Sequence, residues 1–167
     1  MVISLEDNEF YKIINDILNN QEFLKLKEEF HHGISRYTHS LNVAKISYYL
    51  SKFLKLDYER VTRAALLHDF YLDQELKNYN KFQTLVKHPL YASSNASLYF
   101  DIDKVSKNII ESHMFPLCKV MPKYKESLLV SFADKLAASK EMSCYKVTTT
   151  CSIWILFIIN MITVKMS

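Results

Sequence analysis

Four positions in this 167-residue chain hold side chains whose type and setting could do chemistry: His39, the adjacent pair His68-Asp69, and Asp134. The pair closes the run Ala64-Ala65-Leu66-Leu67, apolar enough to be buried, and a buried carboxylate must be paired or bound to a metal because an isolated charge is costly to desolvate. Imidazole and carboxylate together are donors that zinc, iron, manganese and similar divalent ions accept, whereas Cys118, Cys144 and Cys151 form no C-x-x-C pair for thiolate zinc. Each residue alone has a plainer reading. His68 can cap a helix C-terminus, His39 can be a hydrogen-bonded core residue, and Asp134 can be solvated. Their company makes those readings harder to sustain together.

The elements that must position these residues follow from apolar periodicity. From Glu6 to about Phe30, the recurrence of Phe10, Ile13, Ile14, Ile17 and Leu18, then Phe23 and Leu24, predicts one or two amphipathic helices. His31-His32-Gly33 interrupts the pattern and reads as loop. A helix over Ser35 to Leu56 carries His39, and Asp57 is the N-cap of another that runs through Val61, Ala64, Ala65 and Leu67 to end at His68-Asp69. Phe70 to Lys87 is weakly periodic and reads as a loop or short helix. Pro89 suits the first turn of a helix ending near Phe100, which leaves His88 at the junction. Asp101 or Asp103 caps a helix with Val105, Ile109, Ile110 and His113. Pro116 and Pro122 bracket a connection to a helix from about Lys123 to Met142, with Asp134 near its middle.

Composition supports an all-α chain. Gly33 is the only glycine, which excludes P-loop and Rossmann phosphate cradles and leaves few tight turns for hairpins. A formal net charge of +3 is too small to indicate a nucleic-acid partner. The odd cysteine count and the lack of a signal-peptide pattern fit a reducing, cytoplasmic setting. The expected organisation is an N-terminal helical extension over 1–30 packing on the bundle, a single helical domain over 31–146, and an apolar tail over 147–167. The tail has no charge from Val147 to Val164, but Thr148, Thr149, Thr150 and Ser152 shorten its strongly apolar part. It is expected to pack on the domain or in a homodimer contact rather than to cross a bilayer.

In their order, His39, His68-Asp69 and Asp134 resemble the signature of the HD superfamily. The likeness covers about Ser35 to Glu141 and includes the phrases R-Y-x-H-S-x-x-V-A and A-A-L-L-H-D. The resemblance implies a single helical bundle in which these four residues bind a divalent metal that acts on phosphate esters or anhydrides. Such an ion polarises a phosphoryl oxygen and lowers the pKa of coordinated water from 15.7 toward about 7. His88 and His113 fall where two-metal relatives, among them a branch cleaving diadenosine tetraphosphate, hold a second ion with the counterpart of Asp69 bridging. Otherwise these histidines contact substrate phosphate or cap helices. Arg36, one turn before His39, is then the first candidate to bind phosphate and stabilise developing charge, with Lys135 and Lys87 as further candidates.

The expected substrate is a phosphorylated small molecule, a monoester or anhydride of a nucleotide, with no nucleic acid. The alternatives are a cyclic or linear nucleotide phosphodiesterase and a degenerate domain that binds a nucleotide or protein. One departure stands out: many HD enzymes continue the dyad with glycine and lysine, whereas this chain reads Phe70-Tyr71-Leu72-Asp73 and lacks a G-Y-P signature.

Overall fold

The computed structural model describes residues 5–31 and 33–143. Helix α1 (Leu5–Leu18) and the short α2 (Gln21–Leu24) are separated by Asn20, whose side chain accepts from the backbone N–H groups of Glu22 and Phe23, and a 3-10 turn over Lys25–Lys27 follows. Phe30–His31 then pairs antiparallel with Ile34–Ser35, so the segment read as loop is a miniature hairpin. Gly33 sits in its turn at φ 89°, a left-handed conformation that only a residue without Cβ adopts cheaply. The hairpin ends on Ser35, whose Oγ accepts from the Thr38 N–H and starts α3 (Arg36–Phe53).

Helix α4 (Tyr58–Leu67) begins at the Asp57 cap read from the sequence and ends with His68 as its C-cap. It packs against α1 and α3 and against two later helices, and Val61, Ala64, Ala65, Leu66 and Leu67 are all at most 1% exposed. That placement explains why its last turns are apolar, while Arg60 and Arg63 form ion pairs at its partly exposed side. Each fully buried Leu contributes about 1.5–3 kcal/mol relative to exposure. Phe10, Ile14 and Ile17 of α1 join Val43, Ala44 and Tyr48 of α3 in the same core.

Helix α5 (Asp73–Leu76) is a single turn, and α6 (Lys81–Tyr99) starts earlier than its proline suggests. Asn80 and Gln83 form a reciprocal capping box, so the helix begins there and Pro89 lies inside it rather than in its first turn. The expectation for Pro89 is thus corrected, and His88 lies within a helix instead of at a junction. Asp103, not Asp101, caps α7 (Lys104–Ser112) through the Ser106 N–H at 2.7 Å. The last helix, α8, covers 125–143. Among the described residues no helix is long and apolar enough to cross a membrane. The tail over 147–167, with Cys144 and Cys151, lies outside the described residues, as does His32.

Candidate metal centre

Five helices deliver the cluster. His39 comes from the second turn of α3, His68 and Asp69 from the end of α4, His88 from α6, His113 from the end of α7 and Asp134 from α8. All six residues read from the sequence as ligands converge. Three histidines are oriented the same way, with Nδ1 against a backbone carbonyl of the preceding turn: His68 on Ala65 O at 2.7 Å, His113 on Ile110 O at 2.8 Å and His88 on Thr84 O at 3.2 Å. A carbonyl only accepts, so Nδ1 of each ring carries a proton and Nε2 is the nitrogen turned toward the cluster. Nε2 of His88 lies 2.9 Å from Nε2 of His113. Asp69 Oδ1 is 3.2 Å from the former and 3.6 Å from the latter, and its Oδ2 is 3.7 Å from His68 Nε2.

On the other side of Asp69, His39 Nε2 is 3.1 Å and His68 Nε2 3.7 Å from Asp134 Oδ1. His39 Nδ1 is held not by a carbonyl but by Glu141 Oε2 at 2.8 Å, and Asn42 donates to the other Glu141 oxygen. A histidine backed by a carboxylate is a common arrangement at metal sites, because the partner fixes the tautomer and raises the basicity of the free nitrogen.

The donor set fits divalent ions. His68 Nε2 and Asp69 Oδ1 are buried without a hydrogen-bond partner, a costly condition in a protein interior unless a cation satisfies them. The donor atoms of His39, His68 and Asp134 lie within 4.8 Å of one another, and so do those of His68, Asp69 and His113. The carboxylates demand positive charge. Burial pushes both upward, but His68, His88 and His113 hold Asp69 well below the ordinary carboxylate range, and His39 and His68 do the same for Asp134. Burial likewise opposes protonation of His39, yet Asp134 and Glu141 win and push its pKa up to about 10. His113 goes the other way, to about 3, because it is buried beside His68 and His88.

The three basic residues expected near substrate have partners of their own. Arg36 is 4% exposed; its guanidinium donates to Asp73 Oδ1 at 2.7 Å, to the Tyr71 carbonyl at 2.9 Å and to Glu29 Oε2 at 3.3 Å. Lys135 donates to the His113 carbonyl at 3.1 Å and to Ser131, holding the end of α7. The Lys87 ammonium sits 3.8 Å from the centre of the Tyr79 ring. Two residues with no assigned role in the sequence reading also touch the cluster. Glu141 follows Asp134 by two helical turns, a spacing that puts both on one face and was available in the sequence. Tyr71 lies against His88, with ring centres 5.1 Å apart, and no spacing rule pointed to it.

A helical bundle that gathers four histidines and two aspartates around unsatisfied lone pairs defines a metal-dependent hydrolase centre. Comparison with protein families matches residues 36–139 to the HD domain. The chain belongs to the HD domain family of metal-dependent phosphohydrolases. Among curated proteins it is 32% identical over 124 residues to ribonuclease Y of Mycoplasma capricolum and, to the same extent, to ribonuclease Y of Mycoplasma mycoides. Those matches cover 72% of this chain and 22% of each relative, so the chain spans about a fifth of their length. No solved structure gives a significant match.

Proposed function

We propose that the chain hydrolyses a phosphate monoester or anhydride of a small nucleotide with two divalent ions held by six ligands. His39, His68, Asp69 and Asp134 would hold one ion, and Asp69, His88 and His113 the other. The observation that carries the reading is the 2.9 Å approach of His88 Nε2 and His113 Nε2 beside Asp69 Oδ1, which is buried without a hydrogen-bond partner. Bound divalent ions supply Lewis acidity that polarises phosphoryl oxygen and acidifies water. The chain's own residues aim and tune the donors. Backbone carbonyls fix three imidazole tautomers, Glu141 makes His39 more basic, and burial keeps bulk water from competing with these contacts.

A compact substrate is favoured because Arg36 and Lys135 are tied to protein partners, so the ions provide most of the positive charge at the centre. A polyanion tracked along a basic groove would draw on many free lysines and arginines. The likeness to ribonuclease Y favours a second reading, phosphodiester hydrolysis of RNA. Metal-stripped protein reloaded with manganese is to be assayed on nucleoside mono-, di- and triphosphates, dinucleoside polyphosphates, cyclic nucleotides and short oligoribonucleotides. Turnover of the small nucleotides supports the first reading and cleavage confined to oligoribonucleotides the second. No turnover on any of them by the two-ion protein defeats both.

A further inference from the structure

We infer that Arg36 and Tyr71 form a clamp that sets the ring plane of His88 and thereby tightens the second ion position; this rests on the two-ion reading above. The Tyr71 ring neighbours two planar groups. The Arg36 guanidinium carbon lies 3.9 Å from the ring centre, and the His88 imidazole lies 5.1 Å from it with its plane tilted by 32°. Each layer is tied. Arg36 is fixed by Asp73, Glu29 and the Tyr71 carbonyl, and the Tyr71 N–H donates at 2.8 Å to the carbonyl of Asp69, the ligand shared by both ion positions.

Distances show why His88 is the histidine that needs such support. Its Nδ1 anchor, at 3.2 Å, is longer than the 2.7 Å and 2.8 Å anchors of His68 and His113, so its ring is less firmly turned by the backbone. A ligand lone pair must hold its direction within about 10–20°. The neighbouring Tyr71 ring, tilted by only 32° from the imidazole plane, supplies that restraint. Burying a guanidinium is costly and an apolar side chain would fill the space more cheaply, so packing alone does not account for Arg36 at 4% exposure. The clamp also gives a physical reason for this chain's departure after the dyad: in Phe70-Tyr71-Leu72-Asp73, Tyr71 contacts both Arg36 and His88, and Asp73 is the anion that holds Arg36.

Manganese titration of the metal-stripped full chain tests the clamp, with bound ions counted by calorimetry and Tyr71→Phe, Tyr71→Leu and Arg36→Lys as variants. Wild type binding two ions is the starting condition, and a single ion in wild type defeats the two-ion reading and the clamp with it. Given two ions, Tyr71→Phe should keep both. Tyr71→Leu and Arg36→Lys should each weaken the second ion by about 10-fold or more while leaving the first at its wild-type Kd. Wild-type Kd values for both ions in Tyr71→Leu and Arg36→Lys overturn the clamp while the two-ion reading stands. So does an equal loss of both ions, which marks general damage to the fold.

Discussion

Asn108 in helix α7 and His113, the residue that caps it, are both buried and less than two turns apart, yet they are treated in opposite ways. Asn108 is 7% exposed and both ends of its amide are engaged: Oδ1 accepts from the Lys123 N–H and the Ser127 hydroxyl, each at 2.8 Å, and Nδ2 donates to the Met121 carbonyl at 3.0 Å. His113 is 1% exposed and uses only Nδ1 in that manner; its Nε2 faces another acceptor, His88 Nε2. A polar group buried for structure ends with donors matched to acceptors. One buried for a ligand ends with like facing like, stable only when something positive is shared between them. Mutations that separate the two kinds of burial test this distinction.

The largest effect is expected at Asp69. On the proposed two-ion reading, Asp69→Ala should lower hydrolysis by roughly 10²–10³-fold or more, because it removes the carboxylate that both ions would share. Helical content by circular dichroism should stay near wild type, since Asp69 lies beyond the end of α4 and its Oδ1 makes no hydrogen bond within the protein. Unchanged turnover would remove Asp69 from the centre.

Asn108→Ala should do the reverse. Lys123 N–H, the Ser127 hydroxyl and the Met121 carbonyl lose their partner in a buried setting, at a cost of about 2–4 kcal/mol in urea unfolding. Folded Asn108→Ala protein should still gain thermal stability from manganese, by about 2.7 kcal/mol at 100 times Kd, whereas Asp69→Ala should gain far less. Equal manganese responses in the two variants would show that the distinction drawn on α7 is false.

Acid should reach a third polar group before it reaches the fold's interior. Glu9 accepts from Lys52 at 2.7 Å, from the Tyr48 hydroxyl and from the Tyr58 hydroxyl at 3.0 Å, and these partners lower its pKa from 4.5 to about 2. Its folded pKa is depressed, so its contribution is fully present above about pH 4.5 and is lost as pH falls toward 2. Glu9→Gln should therefore flatten the pH dependence of melting between those values and lower stability slightly at pH 7. An acid limb as steep as that of wild type would show that the Glu9 cluster is not what protonation disrupts.

How much of this was legible beforehand depended on whether a signal was local. The Asp57 cap, the buried α4 and the convergence of the six candidate ligands were legible, because caps, apolar runs and an ordered His/Asp pattern are properties of neighbouring residues or of a family signature. The Asn80–Gln83 capping box was equally local, but Pro89 drew the predicted helix start away from it. The Arg36 placement was not legible. Helical spacing puts it near the face of His39, yet only the chain's path through Tyr71 and Asp73 surrounds the guanidinium with partners. Glu141 stood two turns beyond Asp134 on one face, and the convergence of that face on His39 is a tertiary fact.

The smallest expected effect lies at the far end of α3 and asks whether stability and the metal centre separate in the favourable direction too. After the Leu54 cap, Lys55 adopts φ 55°, and the Leu56 N–H reaches back to the Ser51 carbonyl at 2.9 Å. This left-handed helix stop usually employs glycine, since a Cβ there costs about 1–2 kcal/mol. Glycine returns roughly half of that gain through the greater freedom of the unfolded chain, so Lys55→Gly should stabilise by about 0.5 kcal/mol. Thermal melts should show a rise of a few degrees at most. Manganese titration of the same protein should show unchanged stoichiometry and Kd, because the turn over 54–56 contributes no ligand. A change in metal affinity would mean that the cap and the centre are coupled through α3, and that the separation between structural and ligand-directed burial does not extend along the helix that carries His39.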